Sequence, residues 1–315
     1  MSQQKGMNFR EFRQRFQTEE ACEAYLFEQR WPDGFVCPKC GGSGCYRLRG
    51  RREYICKHCQ RQRSVTVGTV LHRTHLPLTV WFWAIYLVAR DKRGISAVQL
   101  SRELEISYSN AWYLLHRLRR AMGQRDQDYV LSGIAELDDA YFGAPKSNGK
   151  RGRGTEKTSV LAAVSLTEQG YPRFLKIQVS KLDAESVSAV AQQTISPGSE
   201  IHSDALGSFR AALREGYDHH FRVFDQDSGA LRWVHTLISN VKSFLLGTCH
   251  GLGKQHLQSY FDEFAFRFNR RFWPEQLFPR LVRAVAVSNI LGYDDLTLQR
   301  SARMTIQQVI SPLTA

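Results

Sequence analysis

The sequence lacks three features that would place it in common protein classes. Its longest apolar stretch, Leu76 to Ala89, is interrupted by Pro77 and Thr79 and is shorter than the ~20 residues that cross a bilayer. No GxxxxGK motif followed by Ser or Thr is present, which excludes a P-loop nucleotide hydrolase. Met1 to Arg15 is polar and charged, unlike a secretory signal peptide. We therefore expect a cytoplasmic protein without a membrane partner.

Acidic residues are also scarce, and the deficit is uneven. The chain has 43 Lys and Arg against 30 Asp and Glu, a formal net charge of +13. Residues 1–125 hold 22 of the basic and only 10 of the acidic residues, whereas residues 126–315 are nearly neutral. A basic module beside a neutral one predicts that the first part binds a polyanion and the second acts on it. A basic surface kept for solubility is the alternative.

Four of the seven cysteines form two CxxC pairs. Cys37 and Cys40 are separated by fifteen residues from Cys56 and Cys59, which is the spacing of a zinc ribbon. Four sulfur ligands leave no open coordination position, so a Zn²⁺ ion held there would be structural. Two disulfides are the alternative, and the absence of an export signal disfavours them.

The segments around these pairs predict two DNA-binding modules. Residues 1–30 are expected to form a helical prelude and residues 31–75 the zinc ribbon. Arginines crowd the ribbon and are predicted to contact phosphate. The DNA-contacting candidates of the ribbon are Arg47, Arg49, Arg51 and Arg52.

Residues 76–125 show the order of a helix-turn-helix domain. The pattern predicts helices over Leu78–Asp91, Ala97–Leu104 and Tyr108–Met122, the last two capped by Ser96 and Ser107. The residues predicted to contact DNA from the last helix are Tyr108, Ser109, Asn110, Tyr113, Arg117 and Arg120, with His116 and Arg119 as further phosphate contacts. An ordinary three-helix bundle with an exposed basic helix is the alternative.

The remainder predicts a mixed α/β domain over residues 130–272, followed by a partly helical tail at 273–315. Three strand-like runs are followed by a helix and then by alternating strands and helices, the order found in ribonuclease-H-like nucleases. The predicted strands are Ile134–Phe142, Thr158–Leu166, Phe174–Val179, Glu200–Asp204 and His219–Phe224. The fold class is therefore multidomain α+β, with a zinc ribbon, a helix-turn-helix three-helix domain and a ribonuclease-H-like catalytic domain.

Two acids and one amide are the candidate catalytic residues. Asp138 lies within an apolar strand, where an unpaired carboxylate costs several kcal/mol unless it binds a partner or a metal. Alternation places Glu136 and Asp138 on one face and Asp139 on the other. Asp204 ends the fourth strand, and Asn240 lies on the following long helix. Hard oxygen ligands suit Mg²⁺ or Mn²⁺ and phosphoryl transfer. Each acid could instead cap a helix or form a surface ion pair, Asp204 by capping the helix at Ser208.

Several longer stretches resemble the zinc-ribbon DDE-type insertion-sequence transposases (ISXO-type, the IS fifteen-ninety-five group). The resemblance extends from Trp31 to Arg271. The matching stretches are Cys37-Pro-Lys-Cys40-Gly41, Tyr54-Ile-Cys56-Lys-His-Cys59, Gly68-Thr69, Gly94-Ile95-Ser96-Ala97, Gln99-Leu100, Leu137-Asp138-Asp139-Ala-Tyr141-Phe142-Gly143, Tyr260-Phe-Asp262-Glu263-Phe264 and Arg267-Phe-Asn269-Arg270-Arg271.

The resemblance implies a transposase that binds terminal inverted repeats, nicks the 3′ ends and joins them to target DNA, with Asp138, Asp204 and Asn240 as metal ligands. It also implies that Lys242 contacts DNA near the active site. Many relatives carry Glu where this chain has Asn240, and an amide brings no charge and cannot act as a base. His235 could touch the phosphate or be an ordinary residue at a helix start.

The neighbouring loop and the partners complete the hypothesis. Lys150, Arg151 and Arg153 stand in a glycine-rich basic loop, which would bind target or flanking DNA or form a solvated hairpin. Pairing two element ends requires a homodimer or higher assembly on double-stranded DNA, in association with the nucleoid. Two alternatives remain open: a catalytically silent DNA-binding protein derived from a transposase, and a nuclease without strand transfer.

Overall fold

The computed structural model describes residues 6–48, 51–91, 93–143, 157–222, 231–249 and 252–297 of the 315-residue chain. The chain divides into two compact units. Unit 1 comprises residues 1–125 and 272–315, and unit 2 comprises residues 126–271. Within the described ranges no helix combines the length and apolar character needed to span a membrane.

Unit 1 combines a small sheet with seven helices among its described residues. Its sheet is antiparallel in the order β1-β2-β3, and α5 extends two residues into unit 2. The elements are α1 (Phe9–Arg15), α2 (Glu19–Arg30), β1 (Cys45–Arg47), β2 (Tyr54–Cys56), β3 (Gln62–Arg63), α3 (Leu78–Arg90), α4 (Ala97–Glu103), α5 (Tyr108–Gln127), α10 (Leu277–Val287) and α11 (Tyr293–Thr297).

The helix starts in unit 1 are fixed by local side chains. The Ser96 hydroxyl accepts a hydrogen bond from the N–H of Gln99 at 3.1 Å, and the Ser107 hydroxyl accepts one from Asn110 at 3.2 Å. Such caps satisfy N–H groups that have no partner inside the helix. The three predicted helices and both predicted caps of this segment are therefore confirmed.

An aromatic cluster forms the core of unit 1. The rings of Phe12, Phe16 and Phe278 lie 5.4 to 5.6 Å apart, and Phe82 lies 4.9 Å from Phe16. Phe278 belongs to α10, so the segment near the carboxyl end supplies a wall of this core. Offset and edge-on contacts between aromatic rings at these distances are favourable. The helix predicted over Phe278–Asn289 is observed as Leu277–Val287.

Unit 2 is built on a five-stranded sheet of order β6-β5-β4-β7-β8. Strands β4, β5 and β6 are antiparallel neighbours, whereas β7 and β8 run parallel to β4. This is the ribonuclease-H-like topology that the sequence predicts. Its elements are β4 (Ile134–Phe142), β5 (Thr158–Leu166), β6 (Pro172–Val179), α6 (Ala184–Thr194), β7 (Glu200–Asp204), α7 (Gly207–Ala212), β8 (Asp218–Arg222), α8 (Arg232–Thr248) and α9 (Leu257–Phe268).

Alternation along β4 divides its side chains between two apolar cores. Ala140 and Phe142 pack with residues of α8 and α9 on one face of the sheet. Leu137 packs with residues of α6 and α7 on the other face. Because side chains alternate, Asp138 shares the face of Ala140 and is presented towards α8.

Helix α9 closes the outer edge of β6 with its side chains. The Asn269 amide, just after α9, accepts from the N–H of Leu175 at 2.7 Å and donates to the carbonyl of the same residue at 3.1 Å. Gln258 accepts from the N–H of Val179 at 2.8 Å and donates to the carbonyl of Ile177 at 2.9 Å. These amides replace the backbone partners that a sixth strand would supply.

A buried polar network joins the two ends of unit 2. Asp126 forms an ion pair with Arg270 at 2.6 Å and accepts from Asn269 at 3.0 Å. Lys176 from β6 donates to the backbone carbonyl of Asp126. The motif Arg267-Phe-Asn269-Arg270-Arg271 therefore has a structural role in this unit: it ties the last residues of unit 2 to its first.

Candidate active site and nucleic-acid interface

The four CxxC sulfurs converge on one point. Their Sγ atoms all lie within 4.8 Å of one another, with Cys37 to Cys59 and Cys40 to Cys56 each at 3.7 Å. A disulfide would require about 2.05 Å. A tetrahedral zinc ion with Zn–S bonds of about 2.3 Å places sulfurs about 3.8 Å apart. The geometry thus fits a structural zinc ion and excludes two disulfides.

The two turns that carry these sulfurs are built alike. Gly41 donates its N–H to the carbonyl of Cys37 at 2.8 Å, and Gln60 donates to Cys56 at 3.1 Å. Both residues have positive φ, 69° and 57°. The N–H groups of Cys40 and Lys39 point at the first sulfur and lower the pKa of the Cys37 thiol to about 6. Backbone donors therefore favour the thiolate that zinc requires.

Two of the predicted phosphate-binding arginines of the ribbon are already paired within unit 1. Arg47 donates to Glu23 at 3.0 Å, and this glutamate is fully buried. Arg52 pairs with Glu19, whose carboxylate also accepts from the N–H groups at the start of α3. Arg51 is exposed. The ion pairs fasten the ribbon to α2, so Arg47 and Arg52 hold the module together in addition to any DNA contact.

The start of α5 presents the polar surface expected of a recognition helix. Tyr108, Ser109 and Asn110 are exposed, and Arg120 is exposed about three turns later. Tyr108 has 55 % of its surface accessible, which is high for an aromatic residue. Side chains at the start of a helix are the ones that reach base edges when the helix lies in the major groove.

Two residues predicted to contact DNA from α5 are instead used inside unit 1. Arg117 is only 6 % exposed and donates to the His72 carbonyl at 3.0 Å and to the Tyr113 hydroxyl at 2.9 Å. Tyr113 in turn donates to the carbonyl of Leu291 at 2.7 Å. His116 and Arg119 are buried as well. The prediction was wrong for Arg117 because tertiary packing, which local sequence does not show, covers this side of α5.

Three carboxylates meet at the end of β7. Asp138, Asp139 and Asp204 each offer an oxygen within 4.8 Å of the others. Leu137 pairs with Ser203 in the parallel register, which sets Asp138 beside Asp204 at the last residue of β7. The expected approach of these two carboxylates is confirmed. Asp139 also reaches them, although alternation predicts that it points to the other face.

Electrostatics favour a cation at this cluster. The pKa of the Asp138 carboxyl is raised to about 6, mainly by burial, and the neighbouring charges of Asp139 and Asp204 act in the same direction. The N–H of Asp139 and the His235 ring act in the opposite direction. Gathered, half-buried carboxylates that repel one another are stabilised by a divalent cation with oxygen ligands. The donor set thus fits Mg²⁺ or Mn²⁺.

A buried glutamate fixes the helix that faces these acids. Glu136 accepts a hydrogen bond from the N–H of Val234 at 2.7 Å, in the first turn of α8. The N-cap residue of this helix, Leu231, makes no side-chain cap. Burial raises the pKa of the Glu136 carboxyl, opposed by the N–H groups of Val234 and Trp233. Glu136 therefore caps α8 from the neighbouring strand.

The capped helix brings His235 to Asp138 on β4. Its Nε2 lies 2.8 Å from Oδ2 of Asp138, so His235 contacts the acid cluster directly. The sequence alone leaves His235 between two interpretations and indicates no role for Glu136. The available signal was a second acid, Glu136, on the same face of an apolar strand as Asp138.

Asn240 and Lys242 stand further along α8, and both are exposed. Lys242 follows His235 by seven residues, which returns it to the same side of the helix. Its Nζ lies 5.8 Å from the ring of Phe142, at the end of β4. Asn240 follows His235 by five residues and is turned about 140° around the helix. The predicted metal-binding role of Asn240 remains a prediction.

Four predicted DNA-contacting residues lie outside the described residues. They are Arg49, Lys150, Arg151 and Arg153.

Two family comparisons cover more than half of the chain. Residues 130–269 match the family described as ISXO2-like transposase domain, and residues 17–62 match the family described as transposase zinc-ribbon domain. The first range contains the three carboxylates and the whole of α8. The second contains all four cysteines. These matches confirm the family resemblance predicted from the motifs.

A curated relative and several solved structures are also similar. An uncharacterized protein in transposable element ISH50 of Halobacterium salinarum is 28 % identical over 170 residues, covering 49 % of this chain. The match spans only 56 % of that relative's length. The Mos1 strand transfer complex is 13 % identical, with a TM-score of 0.30 over 65 % of this chain and 77 % of that one. A pre-cleavage Mos1 transpososome gives a TM-score of 0.24, with 13 % identity over 64 % and 77 %.

Proposed function

Because this chain belongs to the ISXO2-like insertion-sequence transposases that carry a zinc ribbon, we propose that it nicks the ends of its element and joins them to target DNA. The observation that carries the proposal is the meeting of Asp138, Asp139 and Asp204 at the carboxyl end of β7. When a 3′-hydroxyl attacks a phosphodiester of the target DNA, one phosphodiester bond is broken and another is formed, so bond energy is conserved. It needs no nucleotide cofactor, in agreement with the absence of a P-loop.

The three carboxylates would hold one or two divalent metal ions. Bound there, Mg²⁺ or Mn²⁺ would activate the attacking oxygen and stabilise charge on the leaving oxygen. His235 orients the Asp138 carboxylate through its 2.8 Å contact, and Glu136 holds His235 in place by capping α8. Lys242 stands on the same side of α8, where its ammonium would contact the DNA backbone. Asn240 is proposed as a further oxygen ligand.

Recognition of the element end would fall to unit 1. The exposed residues Tyr108, Ser109 and Asn110 begin α5 and would read base edges in the terminal inverted repeat. Arg120, Arg51 and the basic ribbon would contact phosphates, since nearly all of the net positive charge of the chain lies in residues 1–125. Because two element ends must be paired, we propose that two or more copies assemble on double-stranded DNA, in association with the nucleoid in the cytoplasm.

A strand-transfer assay tests the proposal. The zinc-loaded full chain would be mixed with a labelled element end, a supercoiled target plasmid and Mg²⁺ or Mn²⁺. Wild type is expected to give joined product, and Asp138→Asn and Asp204→Asn to give none. Asp218→Asn removes an exposed carboxylate from the same sheet and should leave the product unchanged. Asn240→Ala reports whether that amide is a ligand.

Each other outcome favours a different function. Binding of the end without nicking in any metal would support a silent DNA-binding protein, for which the uncharged Asn240 is the motivating residue. Nicking without joined product would support a nuclease that lacks strand transfer. Equal activity of wild type and Asp138→Asn would place the chemistry elsewhere and refute the site.

A further inference from the structure

We call the edge of the sheet where β7 ends, which carries Asp138 of β4 and Asp204 of β7, the catalytic edge. This edge continues onto β8, which ends in an arginine. Strands β4, β7 and β8 are parallel, so their carboxyl ends lie at one edge of the sheet. Asp204 is the last residue of β7 and Arg222 is the last residue of β8. The two are register partners in the parallel ladder. Neighbouring strands lie about 4.8 Å apart, so Arg222 is anchored next to a catalytic carboxylate.

Arg222 emerges on the same face of the sheet as Asp204. Register partners in a parallel pair point to one side, and the pair below illustrates this, since the His202 and His220 rings lie 5.5 Å apart. Two residues further along each strand, alternation brings the next pair, Asp204 and Arg222, to that face. This is also the face on which Asp138 is presented to α8.

The acids of β7 and β8 on this face, among the residues that the structure describes, are already engaged. His202 contacts Glu200 at 2.6 Å and His220 contacts Asp218 at 3.1 Å, each within its own strand. Asp204 belongs to the carboxylate cluster. Arg222 is exposed and forms no ion pair with any residue that the structure describes. Its charge is therefore available to an anion at the catalytic edge.

A second cation stands on the opposite face of the same strand end. Phe221 is 46 % exposed, and the guanidinium of Arg210 from α7 lies 5.3 Å from its ring centroid. An exposed aromatic ring with an arginine over it is a surface on which nucleotides stack. Arg222 and the Phe221–Arg210 pair thus flank the end of β8 with positive charge on both sides.

We propose that the end of β8 binds the DNA strand that is cut, with Arg222 on the scissile or adjacent phosphate and Phe221 with Arg210 on the next nucleotide. The inference rests on the proposed transposase function and extends it by naming the strand-binding residues. A planar guanidinium can bind two phosphate oxygens at once, and at the catalytic edge it would stabilise charge that increases during transfer.

Single-turnover nicking with saturating zinc-loaded protein tests this. Arg222→Gln is expected to slow nicking at least about tenfold, with Arg222→Lys between it and wild type. Arg210→Gln should show a smaller loss. Arg214→Gln is the matched control, because it removes an exposed arginine beyond α7, before the amino end of β8. Binding of Mn²⁺ should be retained in Arg222→Gln, which separates a phosphate contact from damage to the carboxylate cluster.

A binding arm keeps the inference testable if nicking fails. The affinity for a labelled end would be measured in Ca²⁺ across a salt series. The plot of log affinity against log salt concentration has a negative slope, and its magnitude should be smaller by about 1 for Arg222→Gln than for Arg214→Gln. Equal slopes and, in an active wild type, equal nicking rates for the two variants would overturn the inference. An inactive wild type with a slope change specific to Arg222→Gln would instead refute the proposed reaction and keep the strand-binding site.

Discussion

The buried ion pair between Asp126 and Arg270 leads to a direct prediction about stability. The two side chains are 9 % and 5 % exposed, and Asn269 and Lys176 also bond to Asp126. Asp126→Asn removes the negative charge and leaves the Arg270 guanidinium buried without a counter-charge. Removing one partner of a buried pair costs about 3–5 kcal/mol. We expect a loss of about 3 kcal/mol in the unfolding free energy of unit 2, because the Asn amide can still accept one hydrogen bond.

Hydrogen exchange measured by mass spectrometry in a urea series reports unit 2 separately from unit 1. The peptides of β5 and β6 lie in the core of that unit and give its unfolding free energy. Asp218→Asn is the control, since Asp218 and its partner His220 are 69 % and 54 % exposed. Such a surface pair contributes at most about 1 kcal/mol. A change below about 1 kcal/mol for Asp126→Asn would refute the assigned role of the network.

Three further predictions concern the helix cap, the zinc site and the metal site. Glu136→Ala should lower the unfolding free energy of unit 2 by about 2 kcal/mol and speed amide exchange at the start of α8, since a buried N–H loses its partner. Glu136→Gln should retain the protection of these amides. Equal exchange in both variants would contradict the cap. Chelation of zinc, or the substitution Cys56→Ser, should unfold the ribbon and abolish its near-ultraviolet circular dichroism. Added zinc should restore the signal after chelation but not in Cys56→Ser. An unchanged spectrum would contradict a structural zinc ion. The affinity for Mn²⁺ should fall about tenfold per pH unit below about pH 6, because protons compete with the metal for the Asp138 carboxylate, whose pKa is raised to about 6. An affinity that does not change with pH would contradict this.

The sequence predicts the strands of unit 2 from short-range signals, and the order of these elements then predicts the approach of Asp138 to Asp204. Runs of strand-favouring residues bounded by glycine and proline define β4, β5 and β6, and the mixed order of strands and helices defines the sheet. The four cysteines are equally readable, since their chemistry and spacing leave few alternatives. In these places local pattern and tertiary structure coincide.

The missed features depend on partners that are distant in sequence. Arg117 lies in a basic segment and is predicted to face DNA, yet its acceptor is the carbonyl of His72, 45 residues away. Glu136 caps a helix 98 residues later. Asp139 joins the acid cluster because β7 stops at Asp204 and leaves that end of β4 open. Alternation cannot show where a neighbouring strand ends.

The covered edge of β6 makes the sheet sensitive to helix phase. Gln258 and Asn269 are separated by eleven residues, close to three full turns, so both face the strand at once. A single residue inserted between them would rotate one relative to the other by about 100°. One amide would then leave its strand, exposing backbone N–H and C=O groups that template pairing between molecules. Substitutions on the outer face of α9 should therefore be tolerated where single-residue insertions and deletions are not.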